Sequence, residues 1–327
     1  MYKLNGIPLV NYGIHPGRAP LSNVALEGFL DMPERLGKTF HDWLDDEGLE
    51  PYVEADEIFF AGRTITFYGL LAGENQQDAV LKLRELYEDF GRITELVTLS
   101  TDWGDFQVYL KEKIQVRYVG QGWAQITMRL QQPVVPLPAD PLPEERTIAQ
   151  YHIDYVPFSA FGAFIADTSG QYDRPELKAA EFTSYNQEGY QLTKIGQSEI
   201  DLVIWFVATD MPSLQANVGR LHALLAAPGT RTINIDDTER EGFAVDGFTV
   251  ARIRNAPGQC LAQVRVKLLM AFAGTPLVNE YLLDNKLQGI LDDQGRFIQI
   301  DRKQYLELWD DRGYNILDDK LQPIKLG

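Results

Sequence analysis

YVGQGWAQITMRL at residues 118–130 and APGQCLAQVRVKL at residues 256–268 decide how this chain is read. Shifted by 138, Gly120 meets Gly258, Gln121 meets Gln259, Ala124 meets Ala262, Gln125 meets Gln263 and Leu130 meets Leu268. From Ala124 and from Ala262 onward, apolar and polar residues alternate, which is the period of a half-buried strand. The same strand written twice in one chain marks a duplicated domain.

Two further blocks repeat in the same order. ITFYGLL begins at Ile65 and VIWFVAT at Val203, which pairs Phe67-Tyr68 with Trp205-Phe206 as core positions. An amphipathic helix follows each. Ala79, Leu83, Leu86, Tyr87 and Phe90 share one helical face, as do Leu214, Val218, Leu221, Leu224 and Leu225. Asn75 and Asp210 stand where N-caps belong, and Gly91 and Gly229 where helices stop. Near the start of each copy, Ile7-Pro8-Leu9-Val10-Asn11-Tyr12-Gly13 matches Val156-Pro157-Phe158-Ser159-Ala160-Phe161-Gly162.

The order of elements is an entry strand, a long loop region, a strand, one helix, then several strands. One helix among many strands excludes a parallel βαβ sheet and suits an antiparallel one. The expected fold is mainly β, of the α+β class: two tandem antiparallel β-sandwich or barrel domains, each with one packed helix, at 1–138 and 151–278. PVVPLPADPLPEERT at 133–147 carries five prolines and reads as an extended connection, with the linker proper at 139–150. In the last 49 residues, LLDNKLQGILDDQGRFIQI from Leu282 resembles LWDDRGYNILDDKLQPIKL from Leu308. Their Asp-Asn, Asp-Asp and Gly turns predict a small duplicated β-hairpin module at 279–327.

Charge and composition narrow the function. The 327 residues carry a net charge of −17, distributed as −8, −6 and −3 over 1–138, 139–278 and 279–327. A broad DNA-binding face is excluded by that sign. Cys260, the single cysteine, excludes an internal disulfide and fits a reducing interior. No apolar run has the length of a membrane helix, and MYKLNGIPLV has no signal-peptide core.

Chemistry finds little material. Leu36-Gly37-Lys38-Thr39 lacks the earlier glycine of a phosphate loop, where Met32 stands instead. Eight acids lie between Asp42 and Glu57 without a Lys or Arg, among them Asp45, Asp46 and Glu47, but their spacing matches no calcium loop. His152-Ile153-Asp154 sets an imidazole and a carboxylate on one strand face with no Gly-x-Ser-x-Gly nucleophile. His15, His41 and His222 have no counterparts in the other copy. The expectation is a chain that is not an enzyme, with no cofactor and no metal. Trp103 and Trp309 stand near turns as exposed aromatic candidates.

Met32-Pro33-Glu34-Arg35-Leu36-Gly37, Phe60-Ala61-Gly62-Arg63-Thr64-Ile65-Thr66-Phe67, the helix of 75–90 and the strands to Leu130 together resemble the N-terminal domain of siphophage distal tail proteins, a tail-tube fold. The resemblance covers about 130 residues of the first copy. The second copy lacks the Gly-Arg strand entry, and its duplication is more similar to baseplate hub proteins of contractile tails. The resemblance implies a structural protein of a phage or prophage tail tip, made in the bacterial cytoplasm and placed in the virion tail. It implies a ring of three or six chains, contacts to tube, tape-measure or baseplate neighbours, DNA only as passing cargo, and no membrane. Its expected working surfaces are the acidic block 42–57, the strands 123–130 and 261–268, and the tail around Asp292, Trp309 and Asp310. A two-domain module for carbohydrate or protein is the second reading, and a hydrolase using unrecognised carboxylates a third.

Overall fold

The computed structural model describes residues 1–43, 49–91, 93–148, 151–172, 177–184, 187–195, 197–236 and 238–271, and four two-residue strands beyond them. The first copy contains β1 (Lys3–Leu4), β2 (Ile7–Pro8), β3 (Ile14–Pro16), β4 (Leu26–Glu27), β5 (Phe40–His41), β6 (Glu50–Pro51) and β7 (Arg63–Ala72). Helix α1 (Gln76–Phe90) follows, then β8 (Val97–Thr101), β9 (Gly104–Leu110), β10 (Gln115–Gly120) and β11 (Trp123–Gln132). The second contains β12 (His152–Ile153), β13 (Val156–Pro157), β14 (Ala163–Ser169), β15 (Leu177–Ser184), β16 (Gln187–Ile195) and β17 (Glu199–Ala208). Helix α2 (Met211–Ala226), β18 (Arg231–Ile235), β19 (Thr238–Ala256) and β20 (Gln259–Met270) complete it.

The two sheets have one topology. Strand order is β2-β1-β8-β9-β11-β7-β3 in the first copy and β13-β12-β18-β19-β20-β17-β14 in the second, with every pairing antiparallel. The fold is therefore β-rich α+β, with one helix on each sheet among the described residues. Local chemistry repeats too. A 3-10 turn at Leu9–Tyr12 ends on Gly13, and one at Phe158–Phe161 ends on Gly162, both glycines left-handed. Asn75 accepts from the Asp78 amide and Asp210 from the Ser213 amide, so both helices start on the expected caps.

The central strand needs a correction of register. Leu130 pairs with Ile65, but Leu268 pairs with Ile200. The shift is thus 135 through β7 and α1, 134 at β9 and β10, and 138 only in the closing strand, because the β19–β20 hairpin is four residues longer than the β10–β11 hairpin. Phe67 and Phe206 are fully buried, whereas Tyr68 and Trp205 are half-buried on the opposite face. An odd slip in a strand exchanges its two faces, so Phe67 matches Leu202 rather than Trp205.

One apolar core runs through both copies, from Leu4 and Phe67 to Phe206 and Leu268. The proline-rich connection is not a free spacer. Pro138 lies against Gly219 on α2, where a Cβ would come to 3.2 Å. Among residues 279–327, Glu280–Tyr281 (β21) pairs with Gln299–Ile300 (β22), and Leu306–Glu307 (β23) with Lys325–Leu326 (β24). Asp292, Trp309 and Asp310 lie outside the described residues, as do Asp45, Asp46 and Glu47.

Candidate interaction surfaces

The seam between the copies is built by the long loop region of the first, which sequence periodicity leaves unread. Strand β19 pairs with β18 only through Thr238–Gly242. Its remaining length would expose an edge, and unpaired edges demand cover. Residues 22–35 supply it. The Arg35 amide donates to the Val245 carbonyl at 2.8 Å, and Met32 and Phe248 exchange backbone bonds at 3.1 and 3.3 Å. The Val250 amide donates to Asp31 Oδ1 at 2.7 Å. Further along, Ser22 Oγ accepts from Ile253, and Asn23 bonds the Asn255 amide and carbonyl through its side chain.

Backbone geometry admits this approach. β19 bulges between Ala244 and Phe248, and Gly247 there has φ +66°. A Cβ on Gly247 would lie 2.2 Å from the Met32 carbonyl oxygen. Only glycine satisfies both constraints. Apolar packing continues the seam: Leu49 and Val53 join Phe243 and Leu269 in a second cluster, and Phe60 meets the His222 ring edge-on at 6.5 Å.

Burial tunes the charges at the seam. It pushes the Asp31 carboxyl up to about 6, although the Val250 amide and Arg63 pull it down. Arg63 is pushed down to about 10 by burial; it donates to the Asp31 carbonyl and to Gln132 Oε1. His222 falls to about 4, mainly by burial and secondarily through Arg63, so it is neutral at pH 7.

Several sequence expectations are relocated. The strands 123–130 and 261–268 are central, hydrogen-bonded on both sides, and offer no edge. Trp103 is half-buried against the core, and its carbonyl accepts from Gln215 of α2. Among the described residues the exposed tryptophans are Trp43 and Trp123, at 50% and 45%. Trp43 caps the acidic block, donating to Glu50 and packing on His41. Leu49 and Val53 tie part of that block to the seam, while Glu50, Glu54, Asp56 and Glu57 stay exposed. β12 ends at Ile153, so His152 and Asp154 do not share a strand face. His152 is fully buried, pushed to about 4 by desolvation. Asp154 sits in the turn and holds Arg231 at 2.7 Å and the Thr232 amide at 2.8 Å. Cys260 is fully buried beside Asn255, as a small core residue. Among the described residues no helix is long and apolar enough to cross a membrane.

No protein-family model matches the chain, and no curated protein sequence matches it. A solved structure, the Dit (gp 19.1) protein of SPP1, overlaps 82% of this chain and 98% of its own. It is described as a paradigm of the hub adsorption apparatus in phages infecting Gram-positive hosts. The identity is 8% and the TM-score 0.31, an overlap too loose to show either fold or function.

Proposed function

We propose that this chain is a structural ring component of a phage-type tail tip, at the distal tail or baseplate hub, and that it has no catalytic role. The observation that carries this reading is the head-to-tail seam. Two domains of one topology meet through different surfaces, the loop region of one and the sheet edge of the other. Such a heterologous contact, repeated between chains, closes into a ring or runs into a filament. Three chains with two copies each would present six similar faces. The sequence resemblance of the first copy to distal tail domains supplies the tail assignment. In that setting the acidic chain would keep passing DNA from adhering, and tail proteins above and below would be its partners.

Negative-stain electron microscopy at high protein concentration tests the ring. Particles with a central hole and three- or six-fold averages are expected. Single-chain particles at every concentration would count against it. A glycan titration that quenched tryptophan fluorescence in such monomers would favour the carbohydrate-binding module.

A further inference from the structure

The seam has an empty counterpart. By sheet register Gln115 stands where Thr249 does and Val116 where Val250 does, since their partners on β11 and β20 correspond. β10 is therefore the first-copy equivalent of the covered part of β19. Among the described residues β10 pairs with β11 alone, and nothing covers its other edge. Tyr118 and Val119 on it are 48% and 51% exposed. The helices show the same contrast. At the shift of 135, Val80, Leu81 and Tyr87 of α1 correspond to Gln215, Ala216 and His222 of α2. Gln215, Ala216 and His222 border the cleft closed by Phe29, Leu30 and Pro138 of the first copy and the connection. Val80, Leu81 and Tyr87 are exposed at 46%, 57% and 41%.

The segment that would fill this surface is also present twice. Gly28 and Gly170 are equivalent: both are left-handed, and a Cβ on either would strike the carbonyl of Thr64 or Glu199 at 2.1 Å. Read from these glycines, Gly28-Phe29-Leu30-Asp31-Met32-Pro33-Glu34 aligns with Gly170-Gln171-Tyr172-Asp173-Arg174-Pro175-Glu176. Asp31, which takes the Val250 amide, thus has its double in Asp173. Leu30, which lies against α2, has its double in Tyr172, which is 71% exposed.

We propose that β10 and the outer face of α1 receive a second copy of this chain, through its Tyr172–Glu176 segment, with Asp173 meeting the Val116 amide. The chain would then repeat between molecules the seam it already makes within itself. Charge agrees: residues 111–120 hold three bases and one acid in a chain of net charge −17, and the incoming segment carries two acids, Asp173 and Glu176, against one base, Arg174. Lys113 and Arg117 make no ion pair among the described residues. The bulge itself differs, because Lys113 stands where Gly247 admits Met32, so the contact there is looser than in the seam. This inference rests on the ring reading for its premise that chains associate.

The test uses the full chain with a photo-crosslinking amino acid at position 172, alongside sedimentation velocity of Asp173→Ala and Val119→Lys. Expected are a doubled band on denaturing gels mapping to 80–87 or 114–120 of another chain, and association weakened at least tenfold in both variants. The monomer's melting temperature should not move in Asp173→Ala, whereas Asp31→Ala should lower it. Association that survives both substitutions, or a crosslink mapping elsewhere, would overturn this surface and leave the ring standing. A chain that neither associates nor crosslinks at any concentration would overturn both.

Discussion

The two copies share a strand order and differ in what they are allowed to expose. α2 buries Met211, Leu214, Val218, Leu221, His222 and the run Leu224–Ala226, while α1 buries Ala79, Leu86 and Phe90. β19 is one bulged strand of 19 residues with its edge closed; its counterpart is split into β9 and β10, with one edge of β10 unpaired among the described residues. Topology was preserved after duplication because the sheet register is held by paired strands on both sides. Burial diverged because the first copy covers the second, and among the described residues nothing covers the first in the same way. An apolar position on a covered surface contributes to the core, roughly 25 cal/mol per Å² of area removed from water. The same position uncovered is surface left for a partner.

The largest expected effect comes from breaking the covered side. Gly247→Val places a side chain against the Met32 and Pro33 carbonyls at a left-handed φ. It should cost about 3 kcal/mol or more, since strain and lost seam hydrogen bonds add. Lys113→Val, at the equivalent point of the open side, should change stability by less than about 0.5 kcal/mol. Denaturant unfolding of the two variants checks this. Hydrogen exchange should show the amides of 248–255 loosened in Gly247→Val, and those of 97–101 retained. Equal losses in both variants would erase the distinction between the copies.

The next effect is a pH dependence that belongs to the second copy. His152 and His222 are held near 4 in the folded chain, mainly by burial, well below the ordinary value. As pH falls below 6.5 the unfolded chain binds protons that the folded chain refuses, so stability is lost on the way down to about 4. At pH 5 each imidazole accounts for about 2 kcal/mol of that loss. Asp31 acts in the opposite sense. Its folded value of about 6 exceeds the unfolded one, so its protonation adds stability between about 6 and 4. Two histidines against one carboxyl leave a net loss. Thermal melts at pH 7 and pH 5 should show it, and His152→Leu should remove about half of the histidine contribution. In the first copy His15 is exposed and His41 half-buried. A pH slope unchanged in His152→Leu would place the acid sensitivity elsewhere.

Much of this arrangement could be read from the residues. Alternation in Ala124–Leu130 and Ala262–Leu268 announced paired strands, and the caps Asn75 and Asp210 announced the helices. The register of β7 could not be read. Both Phe67-Tyr68 and Trp205-Phe206 are aromatic pairs, and a pair cannot say which member faces inward. The seam was illegible for a different reason. Asp31, Met32 and Arg35 bond through backbone and side chain to a strand more than 200 residues away, and such contacts leave no local period. The Asp-x-Pro-Glu echo at Asp31 and Asp173 is in the sequence, but only the matched environments of Gly28 and Gly170 bring it into register. Trp103 was misjudged because a tryptophan beside a turn reads as exposed until the neighbouring copy is placed against it.

The smallest effect sharpens the comparison most locally, at the helix caps. Asn75 Oδ1 takes the Asp78 amide at 3.0 Å, and Asp210 Oδ1 takes the Ser213 amide at 2.8 Å. Asp210→Ala and Asn75→Ala remove the same bond from equivalent helices. A lost cap costs about 1 kcal/mol in a helix free to fray. α1 fits that description, with Val80 and Leu81 in solvent. α2 does not, because Met211 and Leu214 are buried in its first turn and the connection lies across its outer face. Unwinding α2's first turn would strip Met211 and Leu214 from the core, so its fraying is opposed by packing that α1 lacks. Hydrogen exchange should therefore quicken at the start of α1 in Asn75→Ala and change less at the start of α2 in Asp210→Ala. If a second copy covers α1 in the assembled state, the response of α1 should shrink toward that of α2 once chains associate.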